Sequence, residues 1–456
     1  MIKNIFMQFD GISSRKIVHT KNNSHNLHQT PLIKKSKFKK SFKSFIYFGF
    51  FLIIFGLLII FVTQMPILKL MGVFANGKHL ILFQNSAELR PTGGFIGSFA
   101  TVETKNYQIK NIYIDSNIYK RDNTFAKNND IFPQDKVLAS FVPDGKLTMR
   151  DSNWTADFSI SASEIAWFYE HEGGSKVNNV VGITSNFFKQ LLDIIGPINM
   201  VKYNVVVNKN NFNEVVQNKI ENEYFKNEGS DAVDEPKSIL SEMFPVVMVR
   251  VKNPKYWLRI YQLLFASFKN KDIILYSFNS HKEEMILKNN WGAAIAKNVN
   301  DYLYINNANL GGNKSSLYVN EDIHYNIKNV SGQLLAELNI AKTHTEQAYG
   351  FRNKDYTRIY VPRGSELIDI KIDDSSIKND TEVSEEFDKT VFKFTNIIEP
   401  GKTKNINIVY KLPLNIKLND YSLLVQKQPG SNSQKISITI ENEVKFSGPL
   451  EEDLSI

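Results

Sequence analysis

The sequence predicts an α/β fold: a mixed-sheet extracytoplasmic domain after one transmembrane helix, followed by a C-terminal antiparallel β-sandwich. Three observations predict it. No charged residue occurs from Ser44 to Leu68, and Phe45–Val62 is almost wholly apolar. Strand-like runs then alternate with helix-like patterns through residues 76–320, the mark of an α/β layer. After residue 320, short runs rich in Val, Ile and Tyr recur between turn residues such as Pro362-Arg363-Gly364 and Pro400-Gly401. Such spacing suggests packed antiparallel strands.

The membrane segment comes first. About 20 apolar residues cross the roughly 30 Å hydrocarbon layer as a helix, so residues 44–66 are long enough to span. Residues 1–43 carry ten Lys and Arg against one acid, Asp10. The positive-inside rule therefore places the N-terminus in the cytoplasm and the rest outside, in the cell envelope. A cleaved signal peptide is the rival reading, with Val73-Phe74-Ala75 as its cleavage site; against it, the basic stretch is long and the apolar run exceeds the usual signal core. The tail 1–43 has few apolar residues before position 30 and reads as disordered, its lysines against anionic headgroups of the bilayer. It also accounts for the net charge of +8, since residues 44–456 sum to −1. The folded part is not basic, which argues against nucleic-acid binding. The absence of cysteine excludes disulfides, thiol catalysis and Cys-bound metals.

Residues 79–83, 95–103 and 108–114 read as strands, the last ending at Asp115. Residues 116–147 read as a long polar loop with one short helix near 134–140. Ser159–Glu172 follows as a helix capped by Ser159 or Ser161, and Glu170-His171-Glu172 as its solvated end. Val177–Thr184 is a buried-type strand. Asn186–Ile195 is a helix, with Phe187, Leu191, Leu192 and Ile195 at helical spacing and a stop at Gly196-Pro197. A strand at 201–207, a polar stretch at 208–235, helices at 236–251 and 254–268, a strand at 272–277, a helix at 281–289 and a strand at 301–307 complete this part. The β-sandwich occupies 321–450.

The chain is organised around Asn85–Ser98, which sets Glu88, Arg90, Pro91, Thr92, Gly93, Gly94 and Gly97 between two strands. Glycines permit backbone angles closed to other residues, and such a loop can aim backbone N–H groups at an anion. Glu88, Arg90, Thr92, Gly93 and Gly94 are thus candidate phosphate contacts; a tight connection with internal ion pairs is the plainer reading. Arg150–Phe158 repeats the theme. Arg150 is a candidate anion ligand, since Arg forks fit phosphate oxygens. Asp151 and Asp157, with Asp115, are candidate catalytic carboxylates, and Asp115 and Asp157 candidate ligands of Mg, which favours carboxylate oxygens. A helix-entry loop pinned by ion pairs is the alternative. Asn309–Ser316 puts glycines beside Lys314, a further candidate phosphate contact, but lacks the P-loop spacing, so ATP hydrolysis is not supported. There is no H-E-x-x-H and no G-x-S-x-G, which leaves zinc peptidase and serine hydrolase chemistry without support.

The loop at 85–98 resembles the signature of a bacterial family designated domain of unknown function 4012. Asp115-Ser116, Arg150–Phe158, Gly182-Ile183-Thr184, Ile195-Gly196-Pro197, Asn309–Ser315 and Gln426-Lys427-Gln428-Pro429-Gly430 extend the resemblance over nearly everything after the membrane segment. The order of elements is also similar, more distantly, to the LytR-CpsA-Psr family. Those membrane-anchored enzymes move glycopolymers from a polyprenyl-pyrophosphate carrier to the cell wall, with Arg and Asp residues around Mg. This chain departs from them: Asp115-Ser116 stands where that family has an arginine–aspartate pair, and its C-terminal arginine cluster has no clear counterpart. The resemblance implies a membrane-anchored envelope protein that binds or transfers a lipid-linked pyrophosphate glycan, with the bilayer and a cell-wall polymer as partners. If it is an enzyme, it is a glycopolymer phosphotransferase of that kind. The alternative is a non-catalytic envelope scaffold or adhesion protein.

Overall fold

The short helix α1 (Pro66–Val73) leads into an antiparallel meander of β1 (Gly77–Asn85), β2 (Phe95–Lys105) and β3 (Gln108–Asp115). The computed structural model describes residues 65–456, apart from 116–117, 216–237, 298, 348–349 and 433, together with Leu52. The expected tail 1–43, and nearly all of the expected transmembrane segment 44–66, lie outside the described residues. Among the described residues no helix is long and apolar enough to cross a membrane. Pro66–Ile456 forms one unit.

The meander extends into a five-stranded mixed sheet of order β3-β2-β1-β4-β7. Here β4 (Asn179–Thr184) pairs parallel to β1, and β7 (Ile273–Ser277) pairs antiparallel to β4. One face of the sheet packs on α4 (Phe158–His171) through Leu80, Leu82, Phe99, Ala162 and Ile165. The other meets α5 (Ser185–Ile195), α6 (Ser238–Val251) and α7 (Trp257–Lys269). α8 (Ser280–Lys288) follows β7.

Two local expectations change. Residues 116–147 hold a second helix, α2 (Ile118–Asn128), before the expected short one, α3 (Lys136–Phe141). The periodicity that would reveal α2 is thin, because its buried residues are Ile118 and Phe125 together with an acid, Asp122. The expected strand 201–207 is instead one arm of a hairpin, β5 (Ile198–Met200) and β6 (Val205–Val207), turned through a left-handed Asn204.

From residue 301 onward the chain builds two larger sheets, each mixed rather than purely antiparallel. The six-stranded sheet runs, by residue numbers, 382–386, 389–398, 353–362, 301–309, 423–426 and 454–455, and the seven-stranded sheet 375–376, 366–372, 403–411, 333–344, 319–330, 434–440 and 443–449. The strands used below are β8 (Asp301–Asn309), β9 (Val319–Val330), β10 (Gln333–His344), β11 (Asn353–Pro362), β17 (Leu423–Gln426) and β18 (Gln434–Ile440). The parallel pairs are β8 with β17 and β9 with β18, so chain distant in sequence closes both sheets. Leu303, Ile359 and Phe392 of one sheet share an apolar cluster with Ile323, Leu338 and Ile408 of the other. β8 is buried along its whole length. Its Tyr302 and Tyr304 lie in a second cluster with Ala156 and Ile295, which attaches the six-stranded sheet to the five-stranded part.

Candidate functional site

The loop after β1 is tied down from three distant stretches. A register shift at Phe83/Gln84 ends the regular pairing just before it, a common way to re-aim a strand end. Within the loop, Gly93 N donates to Arg90 O at 3.0 Å and Phe95 N to Glu88 O at 2.9 Å. Asn153 Nδ2 donates to Gly94 O at 2.8 Å and to Thr92 Oγ1 at 3.1 Å. Asn306 Nδ2 donates to Pro91 O at 3.0 Å, and Asn309 N to Leu89 O at 2.9 Å. Gln428 Nε2 donates to Arg90 O at 3.2 Å. Gly430 lies so close that a Cβ there would sit 1.9 Å from Gly93 O. Three of the motifs singled out in the sequence therefore converge on the fourth. Buried carbonyls must find donors, and these side chains supply them.

Arg90 turns inward. It is 2% exposed; its NH2 lies 2.8 Å from Glu88 Oε1 and 3.7 Å from Asp151 Oδ1. Its NH1 donates to Asn309 O at 2.6 Å, and its guanidinium lies over the Phe141 ring. Arg150 continues the line: its Nε is 3.4 Å from Asp151 Oδ2 and 3.5 Å from Asp122 Oδ2, and it lies over Tyr119. Beyond Asp122 stands Glu172, whose Oε1 accepts from Met149 N at 3.1 Å. The Asp122 oxygens, Thr148 Oγ1 and Glu172 Oε2 are buried and lack a hydrogen-bond donor among the fixed protons. A hydrogen bond between the two carboxyls, one of them protonated, would satisfy these atoms. Burial pushes both acids up, Glu172 the further; the Asp122 charge raises Glu172 more, while Arg150 and the hydrogen bonds with Glu172 and Thr148 pull Asp122 back. Glu172 is half-buried, its Oε2 turned inward toward the buried Asp122, and is not the solvated helix end expected from its sequence.

The remaining expected residues are held elsewhere. Asp115 pairs with Arg121 Nε at 2.9 Å, and Arg121 NH1 donates to Glu172 O at 2.9 Å. Asp157, in place of Ser159 or Ser161, caps α4: its Oδ1 accepts from Ser159 N at 2.9 Å, and its Oδ2 from Ile295 N at 2.9 Å. Asp115 and Asp157 are each bound to their own partners. Among the described residues no group of three or more His, Cys, Asp or Glu is placed to hold a metal ion. Sequence reasoning missed Arg121, Asp122 and Glu172. The signals available were the adjacent Arg121 and Asp122 inside a polar stretch and the acids of Glu170-His171-Glu172, read as a solvated helix end.

Glu88 and Lys314 have a second neighbour. They stand at the polar end of an apolar groove of about 340 Å³. The groove runs between the sheet, through Ile81, Phe83 and Val102, and the helices, through Phe187, Leu191, Val247 and Val251. Tyr119, Gln84 and Ser98 complete the polar end, where Gln84 Oε1 is buried without a donor. Burial pushes the Glu88 carboxyl up, against the pull of Arg90 and Lys314. Apart from that end the lining is predominantly apolar.

Residues 76–220, the stretch that contains this loop and most of the groove's sheet wall, match the profile of a family described as Protein of unknown function (DUF4012). This stretch is a member of the DUF4012 family. No curated protein matches the chain. Among solved structures, one similar to part of it is a putative nutrient binding protein from Legionella pneumophila, at 9% identity over 26% of this chain and 50% of that one, with a TM-score of 0.19. An M1 zinc metallopeptidase from Deinococcus radiodurans is 10% identical over 26% of this chain and 31% of that one, with a TM-score of 0.16. Yeast LTA4 hydrolase is 6% identical over 27% and 23%, with a TM-score of 0.16. The chain thus spans half or less of each, and similarity at this level carries no argument about the DUF4012 stretch or the sheets that follow it.

Proposed function

We propose that this chain is a single-pass, extracytoplasmic envelope protein whose DUF4012 part holds the apolar chain of a lipid-linked pyrophosphate glycan. The observation that supports it is the groove, apolar along its length and polar at the end where Glu88, Tyr119 and Lys314 stand. The uncharged run 44–68 and the basic tail before it support the anchor, and the order of elements resembles that of the LytR-CpsA-Psr family. Binding is favoured over transfer. Arg90, Arg150 and Asp151 already spend their charges on one another, so the head group would meet Lys314 and the hydroxyls at the groove's end. A divalent cation such as Mg would arrive with the pyrophosphate, since Asp115 and Asp157 are held by separate partners.

The test uses the full chain in liposomes with a photoreactive short-chain polyprenyl pyrophosphate. Crosslinks are expected in the peptides around Phe187–Leu191 and Val247–Val251, with loss of yield in Leu191→Trp, which fills the groove. Equal labelling of wild type and variant would sink the reading, and a repeat in EDTA decides the part played by Mg. A second reading rests on the two sheets after residue 301, read as a β-sandwich that spaces or adheres. It gains if the groove stays unlabelled.

A further inference from the structure

α7 carries one apolar stripe that is only half covered. Trp257, Leu258, Tyr261 and Phe265 fall within about 100° of arc at 3.6 residues per turn. At its C-terminal end the stripe is packed: Leu264, Phe265 and Phe268 join a cluster with Leu70 and Val73 of α1 and with Trp291. The opposite face, through Ile260 and Leu263, packs with the helices α5 and α6. The stripe then runs on past its cover. Trp257 is 59% exposed, Leu258 69% and Tyr261 42%, although the Tyr261 ring lies only 4.8 Å from that of Phe265.

Along the chain the charge at this patch has one sign; in space Asp193 of α5, paired with Lys209, lies near Arg259. From Met243 to Lys271 there is no acid, while Arg250, Lys252, Lys255 and Arg259 flank the exposed aromatics. Lys252, Lys255 and Arg259 are exposed. Trp and Tyr beside Lys and Arg is the composition of a surface that sits at headgroup level in a bilayer. Position in the chain points the same way. α1, which covers the packed half of the stripe, begins four residues after the apolar run that ends at Val62, and it exposes Leu68 and Met71 itself.

We infer that the N-terminal end of α7, together with α1, docks on an anionic lipid surface. This rests on the membrane-anchored reading above and deepens it. α6 ends at Val251, which lines the groove, and α7 begins six residues later at Trp257. The docked patch thus brings the groove wall to the bilayer, and the apolar chain enters sideways from the leaflet without crossing water. The occupant of the patch is lipid and not a second protein.

The test is emission quenching of the full chain in vesicles of phosphatidylglycerol and phosphatidylcholine with bromine on the acyl chains. Trp154 and Trp291 are buried, and Trp167, on α4, is the other exposed indole. Wild type and Trp167→Phe should lose emission on bromination, while Trp257→Phe should not. Flotation of the same vesicles reports the anchor separately. A chain that floats with the vesicles but leaves Trp257 unquenched overturns the docking and spares the anchor. A chain that does not float overturns both.

Discussion

Two buried charge clusters in this molecule solve the same problem differently. Lys342 of β10 is fully buried between the two large sheets, and its ammonium meets Asn307 Oδ1 at 2.8 Å, Glu321 Oε1 at 3.0 Å and Asp355 Oδ2 at 3.1 Å. Each proton has an acceptor, and the two acids raise the lysine pKa against the opposing effect of burial. The line from Glu88 through Arg90, Asp151, Arg150 and Asp122 to Glu172 has no such closure. It ends in two carboxyls, Asp122 and Glu172, whose buried oxygens lack a donor. A closed cluster fixes geometry. An open one leaves carboxyls whose charge responds to pH, and its other end, Glu88, stands at the groove. The contrast separates a cluster that only holds two sheets together from one that also reports on its surroundings.

The largest effect should come from breaking the closed cluster. Lys342→Met leaves Glu321 and Asp355 buried without their cation, which costs about 4 kcal/mol when one member of a buried pair is removed. Chemical unfolding of the solubilised chain reads it, and a loss below about 1 kcal/mol would mean that water enters between the sheets. Arg90→Met should cost about 3 kcal/mol by the same argument. It should cost less than Lys342→Met because Glu88 stands at the groove and can be hydrated. Equal losses would erase the distinction between the clusters. Gly430→Ala drives a methyl into Gly93 O at a left-handed position, φ 69°, and should cost about 2 kcal/mol. The same variant should leave the sheets' own protection from hydrogen exchange intact.

The last effect is a slope with pH rather than a single loss. Glu172 has a folded pKa above its unfolded value, so its contribution is fully present below about pH 4.5, the ordinary carboxyl range. That contribution is lost as pH rises through the folded value. Stability should therefore decline from mildly acidic toward alkaline pH by up to about 1.4 kcal/mol per unit of pH. Glu172→Gln keeps the acceptor for Met149 N and removes the titration, so its stability should be flatter over that window. An unchanged slope would show that the proton does not reside on this pair.

Much of this was legible in the chain. The alternation of Gln108–Asp115 and the helical spacing of Leu191, Leu192 and Ile195 are local signals, and the elements formed where those signals lay. α2 hid because a polar helix held by Ile118 and Phe125 has no apolar stripe to read. Residues 301–307 read as a strand, but nothing local says which sheet will claim them; the parallel partner Leu423–Gln426 lies over a hundred residues away. At the site, Glu88 and Arg90 are two residues apart and their pairing could be foreseen. Asp122 and Glu172 meet only through the packing of α2 against the end of α4. Asp157 shows the opposite error, since an acid before a helix is as good a cap as a metal ligand, and the backbone of Ser159 and Ile295 took it.

The contact between Gln428 and Arg90 spans 338 residues. A chain that emerges N-terminus first makes its loop long before it makes the clamp. Until residues 428–430 arrive, Arg90 O lacks its second donor and the Gly93 turn lacks the segment that packs on it, and closing so long a loop is slow. The groove and its polar end would thus be among the last features to mature. A nascent or truncated chain could display native strands and still be unable to hold a ligand, which makes ligand retention a timer for completed folding.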